Sequence, residues 1–137
     1  MKEISEQFVK LPESELRIMQ AIWALHSAGE ENITAAALMA ADEGLARLKL
    51  TTVLTLITRL MGRGYLSAEK RGRAHCYTPL VAEADYRAQA AVEFITSVYN
   101  SNPGELISAM IRGGMLSQAD ITELQSILED ENRGDGE

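Results

Sequence analysis

The chain has 137 residues, 46% hydrophobic and 24% charged, which suits one compact domain, or a small domain with an oligomerisation appendage, and excludes wholesale disorder. Its longest unbroken apolar run, Ala35 to Ala41, is far short of the roughly 20 residues of a membrane span, and its first residues lack the apolar core of a secretory signal. A net charge of −7 and a single cysteine, Cys76, argue against a uniformly basic nucleic-acid binder, an internal disulfide and a multi-thiolate metal site, so the expectation is a soluble, cytoplasmic protein with no cofactor or metal.

Residues 1–10 are polar and read as a flexible arm. Pro12 suits a first helical position, where its missing N–H costs nothing, and Glu13 and Glu15 favour the positive end of the helix dipole. Leu16, Met19, Ile22 and Trp23 recur at three- and four-residue steps, predicting an amphipathic helix that ends near Gly29 with Trp23 as a core anchor. Ile33 then stands alone before Thr34, a cap for a short alanine-rich helix over Ala35 to Ala41. Asp42, Glu43 and Gly44 break that helix. A third helix is expected from Lys49 or Leu50 to Arg63. Val53, Ile57, Leu60 and Met61 mark its buried stripe, with Leu56 beside it; Thr51, Thr52, Leu54, Thr55, Thr58 and Arg59 lie opposite. Four threonines are unusual on a solvated helix, since β-branched residues are mediocre helix formers. A functional demand and simple drift both account for them.

Gly64 fits a helix C-terminal cap, and Tyr65 to Lys70 reads as a short strand. Arg71-Gly72-Arg73 is a turn with glycine available for positive φ, and Ala74 to Thr78 returns as a second strand that Pro79 stops. Three helices followed by a hairpin is the order of a winged helix-turn-helix, here over residues 11–81. Its second half holds most of the cations. Residues 47–73 carry Arg47, Lys49, Arg59, Arg63, Lys70, Arg71 and Arg73 against Glu69 alone, and the segments on either side are acidic. Salt screens charges beyond about 8–10 Å, so a local basic surface, and not the net charge, governs phosphate binding. A solvated basic face is the competing reading of this window.

After Pro79 the pattern is helical again. Glu83 to Asn100 carries Tyr86, Ala90, Phe94, Val98 and Tyr99 on one side, and a second helix carries Leu106, Ile107, Met110 and Ile111 up to Gly113-Gly114. Ser117 and Asp120 form a capping-box-like start to a last helix with Ile121, Leu124, Ile127 and Leu128. Residues 82–131 are too few to bury these stripes alone, and packing on a second copy would solve that; 132–137 read as a disordered tail.

Leu50-Thr51-Thr52-Val53-Leu54-Thr55-Leu56-Ile57-Thr58-Arg59-Leu60, followed by Gly64 and by Lys70-Arg71-Gly72-Arg73-Ala74-His75-Cys76-Tyr77-Thr78-Pro79, resembles the penicillinase repressor family (BlaI/MecI/CopY-type transcriptional regulators). The likeness extends from Glu15-Leu16-Arg17-Ile18-Met19 to Leu116-Ser117. It implies a homodimeric repressor with a winged-helix domain and a helical dimerisation region, binding double-stranded DNA at a two-fold-related operator. The third helix would enter the major groove with contacts from Lys49, Thr51, Thr52, Thr55 and Arg59, and the wing would touch the backbone through Arg71 and Arg73.

The chain departs from the family in three places. Pro12 stands where a Ser or Thr cap is common. No cysteine follows Cys76, which sets copper sensing through clustered C-terminal cysteines aside. The segment matching the cleavage region reads Ser108-Ala109-Met110-Ile111, with Ala109-Met110 where antibiotic-responsive members have an Asn-Phe bond. Ala109-Met110 is thus a candidate cleavage point and a sensor protease a candidate partner, without the residues that usually mark them. The expectation is a non-enzyme: His75 and Cys76 are strand neighbours that point to opposite faces, and His26 suits a helix C-terminus. A winged-helix module that binds protein and not DNA is the alternative.

Overall fold

The computed structural model describes Phe8 and residues 10–135, with side chains as far as Asn132. The elements run α1 (Glu13–Ser27), α2 (Ala35–Ala41), α3 (Glu43–Ala46), α4 (Leu50–Gly62), β1 (Leu66–Arg71), β2 (Ala74–Pro79), α5 (Glu83–Val98), α6 (Pro103–Arg112) and α7 (Gln118–Asp135). The fold is mainly helical with one antiparallel hairpin, a winged-helix arrangement followed by helices. The described residues fall into two compact units that divide within α5, between Ala90 and Ala91; the expected boundary lay at 81/82.

In the first unit α1 buries Ile18, Met19, Ile22 and Trp23, and α4 buries Val53, Leu56, Ile57 and Leu60. Leu38, Leu45, Leu66 and Tyr77 complete the core. Full burial of such side chains is worth about 1.5–3 kcal/mol each, and this sets the orientation of α4. Met61, expected in the stripe, is half-buried at its edge. Two boundaries differ from expectation. Pro12 is the residue before α1 and not its first member, and the helix begins without a side-chain cap. Asp42, Glu43 and Gly44 do not simply break the chain: Asp42 ends α2 and caps α3, its Oδ2 accepting the Leu45 N–H at 3.0 Å. Arg17 Nε donates to the same oxygen at 2.7 Å, and this holds the Asp42 carboxyl below its usual range. The expected third helix is consequently the fourth.

Tyr86, near the start of α5, is the hub that joins the ends of this unit. Its ring meets Phe8, Trp23 and Tyr65, and its hydroxyl accepts the buried Leu11 N–H at 3.0 Å. Of the expected flexible arm, Phe8 and Lys10 are described, and Phe8 packs on the core; residues 1–7 and 9 lie outside the described residues. Trp23 Nε1 donates to the Val81 carbonyl at 2.8 Å. Thr34 caps α2 as its sequence position implies. The solitary Ile33 is buried, and its carbonyl accepts the Tyr77 N–H at 2.8 Å, so residues before α2 flank the hairpin.

In the second unit, Asn102 caps α6, and Ser117 and Asp120 exchange the reciprocal bonds of a capping box at α7: Ser117 N–H to Asp120 Oδ2, 2.9 Å, and Asp120 N–H to Ser117 Oγ, 3.1 Å. α7 continues to Asp135, past the expected end at 131; residues 136–137 lie outside the described residues. Phe94 and Tyr99 meet edge to face at 5.7 Å. Yet among the described residues from 91 onward none is buried, and Val98, Ile111, Met115, Ile127 and Leu128 are each about half exposed or more.

Candidate nucleic-acid interface

α4 is two-faced because its apolar residues follow the helical period. With Val53, Leu56, Ile57 and Leu60 turned inward, Thr51, Thr52, Leu54, Thr55, Thr58 and Arg59 are all exposed, as is Lys49 at the helix's N-terminal boundary. Thr55 Oγ1 donates to the Thr51 carbonyl and Thr58 Oγ1 to the Leu54 carbonyl, both at 2.9 Å. These back-bonds use the hydroxyl protons within the helix. Each oxygen keeps a lone pair for an outside donor, beside an apolar γ-methyl. Leu54 adds an exposed apolar side chain at the centre of the face.

The hairpin turns in two residues. Arg71 pairs with Ala74, leaving Gly72 (φ +64°) and Arg73 at the tip. A glycine with positive φ at the first of two central positions is the type II′ arrangement, which matches strand twist. The expected three-residue turn, Arg71-Gly72-Arg73, is thus one residue shorter, and Arg71 belongs to the ladder. Leu54, Ile57, Thr58 and Met61 of α4 face Ala68, His75 and Tyr77 of the hairpin across a groove of about 310 Å³. The phenol of Tyr77 is pushed up by burial.

The seven cations of the basic window divide. Arg63 Nε lies 3.3 Å from Oε1 of Glu15, a carboxylate only 2% exposed as a residue, so this arginine closes the core. Arg71 donates to Glu31 O, Asn32 Oδ1 and Glu69 Oε2 at 2.9, 3.2 and 3.2 Å. Among the described residues, Arg47, Lys49, Arg59, Lys70 and Arg73 are exposed and form no ion pair. The structure therefore brings Lys49, Thr51, Thr52, Thr55 and Arg59 onto one exposed helix face. It sets Arg73 at the wing tip and holds Arg71 in internal bonds. Sequence reasoning did not single out Glu15 as a buried partner, nor His75 beside the groove. The signal for His75 was available in strand alternation, once the turn length is known.

Ala109 and Met110 lie inside α6, half-buried and in helical backbone. Cys76 is buried with its Sγ 3.9 Å from Asn32 Oδ1, while His75 on the opposite strand face is exposed. Among the described residues no group of three or more His, Cys, Asp or Glu could hold a metal, and no helix is long and apolar enough to cross a membrane.

The sequence model of the penicillinase repressor family matches residues 11–130. The chain is similar to a penicillinase repressor of Bacillus licheniformis, 29% identical over 130 residues that make up 95% of this chain and 94% of the relative. It is similar to the methicillin resistance regulatory protein MecI of Staphylococcus aureus strain N315, 30% identical over 119 residues, 87% of this chain and 93% of the relative. An uncharacterised 16.5 kDa protein of Latilactobacillus sakei is 28% identical over 125 residues, 91% of this chain and 82% of the relative.

Proposed function

The chain belongs to the penicillinase repressor family, and from that membership we propose that it is a DNA-binding transcriptional repressor acting as a homodimer. The observation that carries this reading is the exposed α4 face of threonines with Lys49 and Arg59 beside a wing tipped by Arg73, in an otherwise acidic chain. α4 enters the major groove. Lys49, Thr51 and Thr55 reach base edges, where a threonine methyl packs on a thymine methyl and a lone pair accepts an exocyclic amine. Thr52 and Arg59 bond phosphates and fix the register, and Arg73 does so from the wing.

The second unit supplies the pairing. A segment in which none of the described side chains is buried has no interior, and the exposed Val98, Ile111, Met115, Ile127 and Leu128 find one against a second copy. Linking two half-site contacts raises affinity by about 10²–10⁴. The operator is accordingly two-fold related, with half-sites about one helical turn apart or a small multiple of it. Separating the copies releases it. A sensor protease acting at Ala109-Met110 would first have to unwind α6.

The test is selection of bound duplexes from a random pool, followed by mobility-shift titration and sedimentation. Two-fold-related sequences bound by two copies are expected, and Arg73→Ala should lower the slope of log K against log salt by about 0.9. Recovery of no duplex, with retention of protein partners, would establish the protein-binding alternative.

A further inference from the structure

The wing does not present all its cations to one side. In an antiparallel pair, directly opposed residues share a face and strand neighbours alternate. The register therefore sets Ala68 with Tyr77 and Lys70 with His75 on one face, and Glu69 with Cys76 and Arg71 with Ala74 on the other. The first is the face that lines the groove against α4, through Ala68, His75 and Tyr77. That groove opens beside Leu54 and Thr58, both members of the exposed α4 face.

Arg71 lies on the other face and is committed there. Nη1 bonds the Glu31 carbonyl and Asn32 Oδ1, and Nη2 bonds the Glu69 carboxylate. The same segment receives the Tyr77 N–H at the Ile33 carbonyl. The hairpin is thus fastened to residues 31–33 at two levels, by a backbone bond lower down and by a guanidinium near the turn. A two-stranded hairpin is marginal alone, so such fastenings set its pitch against α4. The planar fork of arginine suits several fixed acceptors; a lysine ammonium cannot reproduce it. Swinging Arg71 to a phosphate would surrender all of these bonds.

Resting on the DNA-binding reading above, we propose that the pleat gives the wing's cations different roles. Arg71 is a positioning residue that ties the wing to residues 31–33, and Lys70 is a phosphate contact beside Arg73. Lys70 is exposed, forms no ion pair among the described residues, and shares the groove-side face with His75. A phosphodiester seated along the groove mouth meets its ammonium.

The experiment uses the full chain and a duplex recovered from the random pool, titrated by fluorescence anisotropy over a series of salt concentrations. Amide hydrogen exchange is followed in the DNA-free protein. Lys70→Ala should flatten the salt slope by about 0.9 and leave exchange unchanged. Arg71→Ala, Arg71→Lys and Asn32→Ala should each weaken binding several-fold at unchanged slope and speed exchange in the hairpin. A slope loss in Arg71→Ala that Arg71→Lys restores would make Arg71 the phosphate contact and overturn the proposal. An unchanged slope in Lys70→Ala would remove Lys70. If the wild-type chain binds no duplex, the DNA-binding reading fails together with the role of Lys70. Exchange in the free protein then still judges Arg71, and unaltered exchange in Arg71→Ala refutes its strut role.

Discussion

Replacing Tyr86 by phenylalanine isolates one hydrogen bond at the centre of the first unit. The residue is 4% exposed, and its hydroxyl accepts the N–H of Leu11, itself 2% exposed. Phenylalanine keeps the ring against Phe8, Trp23 and Tyr65 but leaves that amide without its acceptor. A buried donor stripped of its partner costs about 1–3 kcal/mol, and fraying at the Lys10–Leu11 end relieves part of this. The expected loss is about 1–2 kcal/mol. Tyr86→Ala also removes the ring, so its loss should reach about 3–5 kcal/mol. Trp23, the single tryptophan, sits 5.7 Å from the Tyr86 ring centroid, so its fluorescence reports this unit during urea unfolding. With a slope of about 1.5 kcal/mol/M the phenylalanine variant's midpoint should fall by about 1 M. A fall too small to measure would refute the assignment of the Leu11 amide to this hydroxyl. Equal losses in the two variants would show that ring packing contributes nothing.

Arg63→Met leaves the Glu15 carboxylate buried without its cation; because Arg63 is 40% exposed, the cost is set below that of a fully buried pair, at about 1–3 kcal/mol. Glu15→Gln combined with Arg63→Met should regain most of it in urea titrations, and a double variant no better than the single would contradict the pairing. Asp42, held below its usual range chiefly by the Arg17 hydrogen bond, stabilises the fold at neutral pH and loses that contribution as pH falls through its lowered folded value. The melting-temperature gap between wild type and Asp42→Asn should thus be widest near pH 7 and close below about pH 4; a gap that persists in acid would exclude the charge as its origin. Thr55→Ala should flatten the preference at one operator base pair by about five-fold in competition binding, and a uniform loss across operator variants would make Thr55 a positional contact.

Periodicity and punctuation made much of the fold legible. The Val53–Ile57–Leu60 stripe orients α4 and so exposes its threonine face, and Thr34, Ser117 with Asp120, Gly64 and Gly113-Gly114 mark element ends through bonds or backbone angles local to them. α3 was not legible, because one turn of helix has no period to read and Asp42 serves two helices at once. The pairing of Glu15 with Arg63 joins residues far apart in sequence, where a carboxylate in a first turn reads as a dipole partner. The hairpin was legible, but its turn was read one residue too long. Strand faces alternate, so counting the turn as three residues and not two leaves the sides of Lys70 and Arg71 undetermined.

The carboxy-terminal helices have consequences for dosage. On the proposed pairing, a solitary copy would hold its described helices from residue 91 onward, none of whose side chains is buried, mainly by caps and local propensity, which is least for the ten-residue α6. Their order would then track the concentration of the chain. On the same proposal, scarce protein would be mostly unpaired and abundant protein mostly paired, so that repression built this way would switch with supply more steeply than each molecule's grip on its promoter would dictate.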